Sequence, residues 1–393
     1  MLKKKLSELL SPAYFLFLIT IVLLGFGLVM VYSASAYKAP NDRKIYLMQK
    51  HPEQRETILE DNEYHNTFFL QRQMIYALLG IFMLFLLYNR SEEALLKKYS
   101  THFLVLSGIL LLLVFSPLGA KSHGANRWIQ IWKFTFQPSE LAKLALIIFM
   151  AKYLDENRRK IKEFLGGFLP AVGIATLPLI LILFEPDLGT TIVLGTIVFL
   201  MWFIGKMRKL HLLLLIGIGI IVCVIAVIME PWRIERLMEN PQVKQSLVAV
   251  GSGGLFGRGL GNGIMKYNFL SEAHCDFIFS IICEELGFIG GVFVATMFLL
   301  WVVQGARIAM KAPTYFSALL AAGITLMIGL PAFINMFVAI KLAPTKGLVL
   351  PFISYGGSSL LVCLTATGIL LSIAKNKEVI DQEVRMNIGK GRN

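Results

Sequence analysis

About ten stretches of this chain are long and apolar enough to cross a bilayer as helices, and no other feature restricts the fold as much. They run near 13–33, 70–89, 102–117, 139–154, 165–184, 188–205, 210–229, 277–304, 315–342 and 350–374. Hydrocarbon offers no water to an open backbone, so spanning segments must be helical or close into a barrel. Runs of this length select helices, and the expected fold is an all-α polytopic membrane protein. Composition agrees: 56% of residues are hydrophobic and 16% charged, against roughly a quarter charged in soluble domains. The run after "MLKKKLSELLSP" has span length and no small-residue cleavage site, so it reads as the first helix and not as a cleavable signal.

The net charge of +13 does not point to nucleic acid, because the basic residues cluster in short segments between apolar runs. Lys3, Lys4 and Lys5 precede the first run. Arg90, Lys97 and Lys98 follow the second, Arg158, Arg159, Lys160 and Lys162 the fourth, Lys206, Arg208 and Lys209 the sixth, and Arg307 and Lys311 the eighth. Short basic loops stay cytoplasmic. Both termini are therefore expected inside: 1–12 as a cytoplasmic start, 13–374 as the membrane domain, and 375–393 as a cytoplasmic tail. Two long loops, 34–69 and 230–276, fall outside, the second just before the eighth helix. The first mixes both charges and reads as a solvated insertion. The second contains "QSLVAVGSGGLFGRGLGNG", whose glycines permit left-handed turns and close backbone approach, so it is expected to fold back tightly. Cys223, Cys275, Cys283 and Cys363 show no paired spacing and imply neither a disulfide framework nor a metal motif.

Charged groups cost about 2.5–3.5 kcal/mol each in a membrane span, so those near or inside these runs need a reason. In "SEAHCDFIFSIICEELG", Asp276 stands where the long loop meets the eighth span. It reads as a helix-start acid, as a general base, or as a ligand for a divalent cation. Glu284 and Glu285 lie deeper and read as structural, one or both paired with a basic residue on another helix. In "FQPSELAK", Glu140 and Lys143 are i,i+3 neighbours: an internal ion pair, or a polar lining between helices. Arg127 in "HGANRWIQ" is an interfacial anchor or a phosphate ligand. Asp187 in "FEPDLGTT" belongs to a tight turn. "APTKGLVLPFISYGGSS", with Lys346 and Ser354, has too many prolines and glycines for a plain span and suggests a broken helix at a polar cleft. Together these groups suit an amphiphilic substrate with an anionic headgroup.

The stretches "GANRWIQ", "FQPSELAK", "EPDLGT", "QSLVAVGSGGLFGRGLGNG", "SEAHCDFIFSIICEELGFIGG" and "PTKGLVLPFISYGGSS" resemble, in order, the signature stretches of the SEDS proteins of shape, elongation, division and sporulation. "EAH" and "LPFISYGGSS" look closer to the cell-division branch than to the elongation branch. The resemblance implies ten helices and a peptidoglycan glycosyltransferase of the cytoplasmic membrane, acting at the septum. It would polymerise lipid II, the undecaprenyl-pyrophosphate-linked disaccharide pentapeptide, beside a class B penicillin-binding protein and other division proteins. A lipid II flippase or an elongation polymerase is the alternative.

The family's essential aspartate falls on Asp276 and its fourth-helix acid and base on Glu140 and Lys143. Arg127, Asp187, His274, Lys346 and Ser354 are the expected binding or supporting residues, and Mg or Mn is the candidate metal, with Asp276 as its ligand. The chain departs from the family pattern at Ser271, Cys275 and Asn126, where Pro, Thr and Arg are usual.

Overall fold

A computed structural model of the chain describes residues 11–36, 67–90, 93–117, 119–122, 125–131, 134–229, 240–267, 269–270, 272–344 and 347–390. Lys3 to Lys5, Ser271, Lys346 and most of the 34–69 loop lie outside the described residues. Helices α1 (Pro12–Ser35), α2 (Phe68–Arg90) and α3 (Glu93–Leu113) lead into a small sheet of β1 (Gly119–Ser122), β2 (Ala125–Ile131) and β3 (Phe134–Phe136). Then come α4 (Pro138–Glu156), α5 (Phe164–Phe184), α6 (Leu188–Ile204), α7 (Lys209–Met229), α8 (Pro241–Ser252), α9 (Ile278–Met310), α10 (Tyr315–Ala339) and α11 (Gly357–Lys390). Each of the ten predicted spans falls on one of these helices. Seven, α1–α3, α5 and α9–α11, are long and apolar enough to cross a membrane. The charges of α4 and the short described apolar stretches of α6 and α7 keep those three from meeting the same standard.

Local chemistry sets the helix starts. Ser11 accepts the amide of Tyr14 ahead of Pro12, Asn240 that of Gln242, and Thr314 forms a reciprocal cap with Ser317. These residues satisfy amides that an opening turn leaves bare. The bundle centre is α10 and the first part of α11, 67% and 78% buried over their apolar windows, whereas α2 and α3 are 22% and 17% buried. The peripheral helices present Leu78, Phe82, Val105 and Leu112 outward, as a lipid-facing wall would.

Three features go beyond a plain bundle of helices. The sheet interrupts an otherwise helical fold: β1, β2 and β3 form an antiparallel meander, with Gly119 opposite Ile129 and Ile129 opposite Phe136. The segment 350–356 is a turn, and α11 starts only at Gly357; its prolines and glycines had argued for such a break. Finally, α9 is broken at Gly287, where φ is 70° and ψ is −166°. Gly257 packs against that break, and a Cβ on it would lie 2.1 Å from the Glu285 carbonyl oxygen. Only glycine at both positions lets the loop backbone lie against the helix backbone.

The connections sort to two ends. At one, Lys97 pairs with Asp155, Arg158 reaches Asp155 and lies over the Tyr315 ring, and Glu93 meets Thr314. At the other end are the sheet, the α5–α6 turn, the loop before α9 and the 347–356 turn. Alternation of short basic loops divides the sequence the same way.

Candidate active site

Asp276 lies in a turn built from residues 272–277. The amides of Cys275 and Asp276 both donate to the Glu272 carbonyl, at 3.0 and 3.1 Å. Each of the carbonyls of residues 274, 275 and 276 is held by a different donor. The Tyr355 amide reaches His274 O at 2.9 Å, Ser354 Oγ reaches Cys275 O at 2.6 Å, and Asn335 Nδ2 reaches Asp276 O at 2.8 Å. Asn335 also donates to Leu348 O at 2.6 Å, and Ser354 Oγ accepts the Leu350 amide. One polar residue inside α10 thus ties the Asp276 turn to the 347–356 turn. Gln73 of α2 closes the other side, donating to Ser354 O and accepting the Gly356 amide.

The Asp276 carboxylate is partly exposed and faces Gly347, at which a Cβ would lie 3.3 Å from Oδ2. Backbone strain gathers here. Glu272 and Phe352 have φ of 55° and 63°, a left-handed conformation costing roughly 1–2 kcal/mol for a residue with a Cβ. Such costs persist where surrounding contacts impose them, commonly at functional sites. His274 is 3% exposed, with ring centroids 4.5 Å from Phe69 and 5.6 Å from Tyr355. Tyr355 also bonds Arg72, whose guanidinium lies 4.4 Å over Phe68.

A second group sits around the starts of α4 and α6. Lys143 Nζ pairs with Glu140 Oε1 at 2.8 Å, both buried. Asp187 caps α6, accepting the Thr190 amide at 3.0 Å and its hydroxyl at 2.9 Å, and lies within electrostatic reach of Lys143. Arg127 Nε donates to Glu185 O at 3.0 Å and Nη2 to Pro186 O. The guanidinium therefore fastens β2 to the α5–α6 turn, which commits two of its N–H groups to the fold. The groups meet at the start of α11: Ser358 Oγ accepts the Gln137 amide at 3.0 Å just ahead of α4. Of the sequence-derived residues, the structure brings Asp276, His274 and Ser354 into one turn assembly and Arg127, Glu140, Lys143 and Asp187 into its neighbour. Lys346 lies outside the described residues.

Sequence reasoning missed Asn335, Gln73 and Arg72. Their signal was present, since each is a polar residue within or at the edge of a predicted span. Glu185 was read only as part of a tight turn. Its carboxyl is fully buried, and neither oxygen has a hydrogen-bond partner among the described residues.

Burial, reinforced by Asp187 and opposed by Arg127, pushes the Glu185 carboxyl from an ordinary 4.5 up to about 8. A raised acid pKa means that the folded state holds a proton which the unfolded chain releases. Stability is therefore expected to fall as pH rises from about 4.5 to about 8, and then to level off. Glu185→Gln should flatten that part of the profile. Thermal unfolding of both proteins between pH 5 and 8 checks this, and parallel curves would contradict it.

The family model described as "Cell cycle protein", covering FtsW, RodA and SpoVE, matches residues 54–379. A relative from Geobacter metallireducens named "Probable peptidoglycan glycosyltransferase FtsW" is 39% identical over 95% of this chain and 97% of its own length. "Stage V sporulation protein E" of Bacillus subtilis is also 39% identical, over 93% and 97%. Among solved structures, a chain of the one described as "Structural coordination of polymerization and crosslinking by a peptidoglycan synthase complex" superposes with a TM-score of 0.74 at 26% identity, covering 92% of this chain and 97% of that one. RodA of Thermus thermophilus does so at 0.65 and 27%, covering 92% and 96%. Matches of this extent, with its apolar helices, make this multi-pass membrane protein a member of the FtsW/RodA/SpoVE family, the SEDS proteins.

Proposed function

We propose that the protein is a peptidoglycan glycosyltransferase that polymerises lipid II at the outer face of the cytoplasmic membrane. We assign it to septal wall synthesis beside a class B penicillin-binding protein. The names of its relatives support the activity, and the solved complex, which joins polymerization to crosslinking, supports a crosslinking partner. The observation that carries the reading is Asp276: a partly exposed carboxylate on a turn pinned through three successive carbonyls, at the end of the bundle that also holds the Glu140–Lys143 pair.

In this reading the 4-hydroxyl of the acceptor N-acetylglucosamine attacks C1 of the donor N-acetylmuramic acid. The new C1–O bond forms as the bond to the polyprenyl pyrophosphate breaks, and the hydroxyl proton passes to Asp276. A rigid turn keeps the base at hydrogen-bonding distance from that hydroxyl, as general-base catalysis requires. Lys143, Arg72 and the remaining donors of Arg127 supply positive charge for the pyrophosphate. The Asp276 carboxylate is a hard oxygen donor of the kind that would hold Mg²⁺ or Mn²⁺, with water and phosphate completing the shell. Such an ion would neutralise charge on the leaving group.

The test feeds labelled lipid II and Mg²⁺ to the purified protein with its transpeptidase, crosslinking being blocked by a β-lactam. Glycan strands on a gel are the expected result. Transfer of lipid II between vesicle leaflets without strands would replace the polymerase with a flippase.

A further inference from the structure

The turn that carries Asp276 also brings three metal-ligand side chains together. One donor atom from each of Glu272, His274 and Cys275 lies within 4.8 Å of the others. We propose that these three residues bind a divalent cation of the zinc class, with a fourth coordination position left open.

The donor set argues for that class. Thiolate, imidazole and carboxylate together suit Zn²⁺ or Co²⁺, whereas Mg²⁺ and Ca²⁺ take oxygen alone. Tetrahedral bonds of about 2.0–2.3 Å put ligand atoms roughly 3.3–3.8 Å apart, so small side-chain rotations complete the triad.

The backbone is already arranged for it. Residues 272–276 close on themselves through the Glu272 carbonyl, and Tyr355, Ser354 and Asn335 fix the carbonyls that follow. The His274 ring packs against Phe69 and Tyr355, which also pack on each other, and this removes much of the freedom an imidazole ligand would otherwise lose. Glu272 and Cys275 are partly exposed, which gives an ion a route in. Glu272 has a strained backbone, φ 55°, at a position whose side chain joins the triad.

Binding releases the Cys275 proton to solvent, and the two anionic ligands balance the ion's charge. The site is soft in its donor set, because Cys275 supplies a thiolate. It differs in donor chemistry from an oxygen-only ion at Asp276 and does not depend on the polymerase reading.

Cobalt tests it directly. The full-length protein, free of any oligohistidine tag and stripped with EDTA, is titrated in detergent with Co²⁺. A thiolate-to-cobalt charge-transfer band saturating at one ion per chain is expected, with displacement by Zn²⁺. Cys275→Thr should fold with an unchanged Tm in the absence of metal and lose the band. Its Zn²⁺ affinity should fall by about a hundredfold or more, since changes merely to groups behind a ligand cost 10–100-fold. Glu272→Gln should keep the band and weaken Zn²⁺ by at least about tenfold. Absence of the band in the native protein, or equal Zn²⁺ affinity in Cys275→Thr, overturns the site. The buried thiols of Cys283 and Cys363 are present in every variant, so they cannot produce the expected difference.

Discussion

Replacing Asp276 with Asn is expected to lower lipid II polymerisation by about 10²- to 10⁴-fold, the range by which a positioned general base accelerates proton transfer. The substitution keeps the shape of the side chain and leaves the backbone contacts of residue 276 in place. Its amide still donates to Glu272 O and its carbonyl still accepts from Asn335. Thermal stability should therefore stay within about 1 kcal/mol of the native protein, as for a partly exposed isosteric change. The informative result is the combination: no strands on the gel from a protein that unfolds at the native temperature. Equal strands from both proteins would remove Asp276 as the base and shift attention to the Glu140–Lys143 group.

The sequence exposed most of what is expensive in a membrane. Asp276, Glu140 and Lys143 stood out because each puts a charge at or within an apolar run, and the structure brings them to one end of the bundle. The break before α11 was legible from its prolines and glycines. Other features were not. Strands of four, seven and three residues, such as "GAKS" and "FTF", are too short for alternation to register. Asn335 was visible as a polar residue in an apolar run, but its two acceptors, Asp276 O and Leu348 O, come from separate segments that only the folded chain joins. His274 looked like a binding group by residue type; its position against Phe69 of α2 and Tyr355 of the 347–356 turn depends on segments far apart in sequence.

Glu284 and Glu285 show how far a correct general reading can fall short of the mechanism. A partner on another helix was expected. Instead, both carboxylates face the loop that precedes them. Glu284 accepts the Ile264 amide at 2.7 Å and the Met265 amide at 3.2 Å. Glu285 pairs with Lys266 at 2.7 Å and accepts the Gly261 amide at 3.0 Å and the Ser33 hydroxyl at 2.7 Å. Charge-assisted bonds of this kind contribute about 1.5–3 kcal/mol each. They gather the glycine-rich loop, α1 and α9 around one buried ion pair, and that loop leads into the turn holding Asp276.

Glu285→Ala is therefore expected to destabilise the protein by about 3–5 kcal/mol, the cost of stranding a buried charge. In a chain of this size that corresponds to a fall in Tm of about 4–6 °C. Lys266 is 5% exposed and would keep, among the described residues, its hydrogen bonds to the Ser33 hydroxyl and the Gly261 carbonyl and a 5.8 Å approach to the Tyr267 ring. Lys266→Met should cost a comparable amount, because it leaves Glu285 buried without a counter-charge. The double variant Glu285→Gln with Lys266→Met should recover most of the lost stability, since two neutral groups of similar volume need no counter-charge. The introduced amide oxygen can still accept from Gly261. Thermal unfolding of Glu285→Gln, Lys266→Met and their double variant in detergent measures the coupling. If the double variant loses as much as the singles combined, the pair is not what holds the loop. The weight then moves to the amides of Ile264 and Met265 on Glu284.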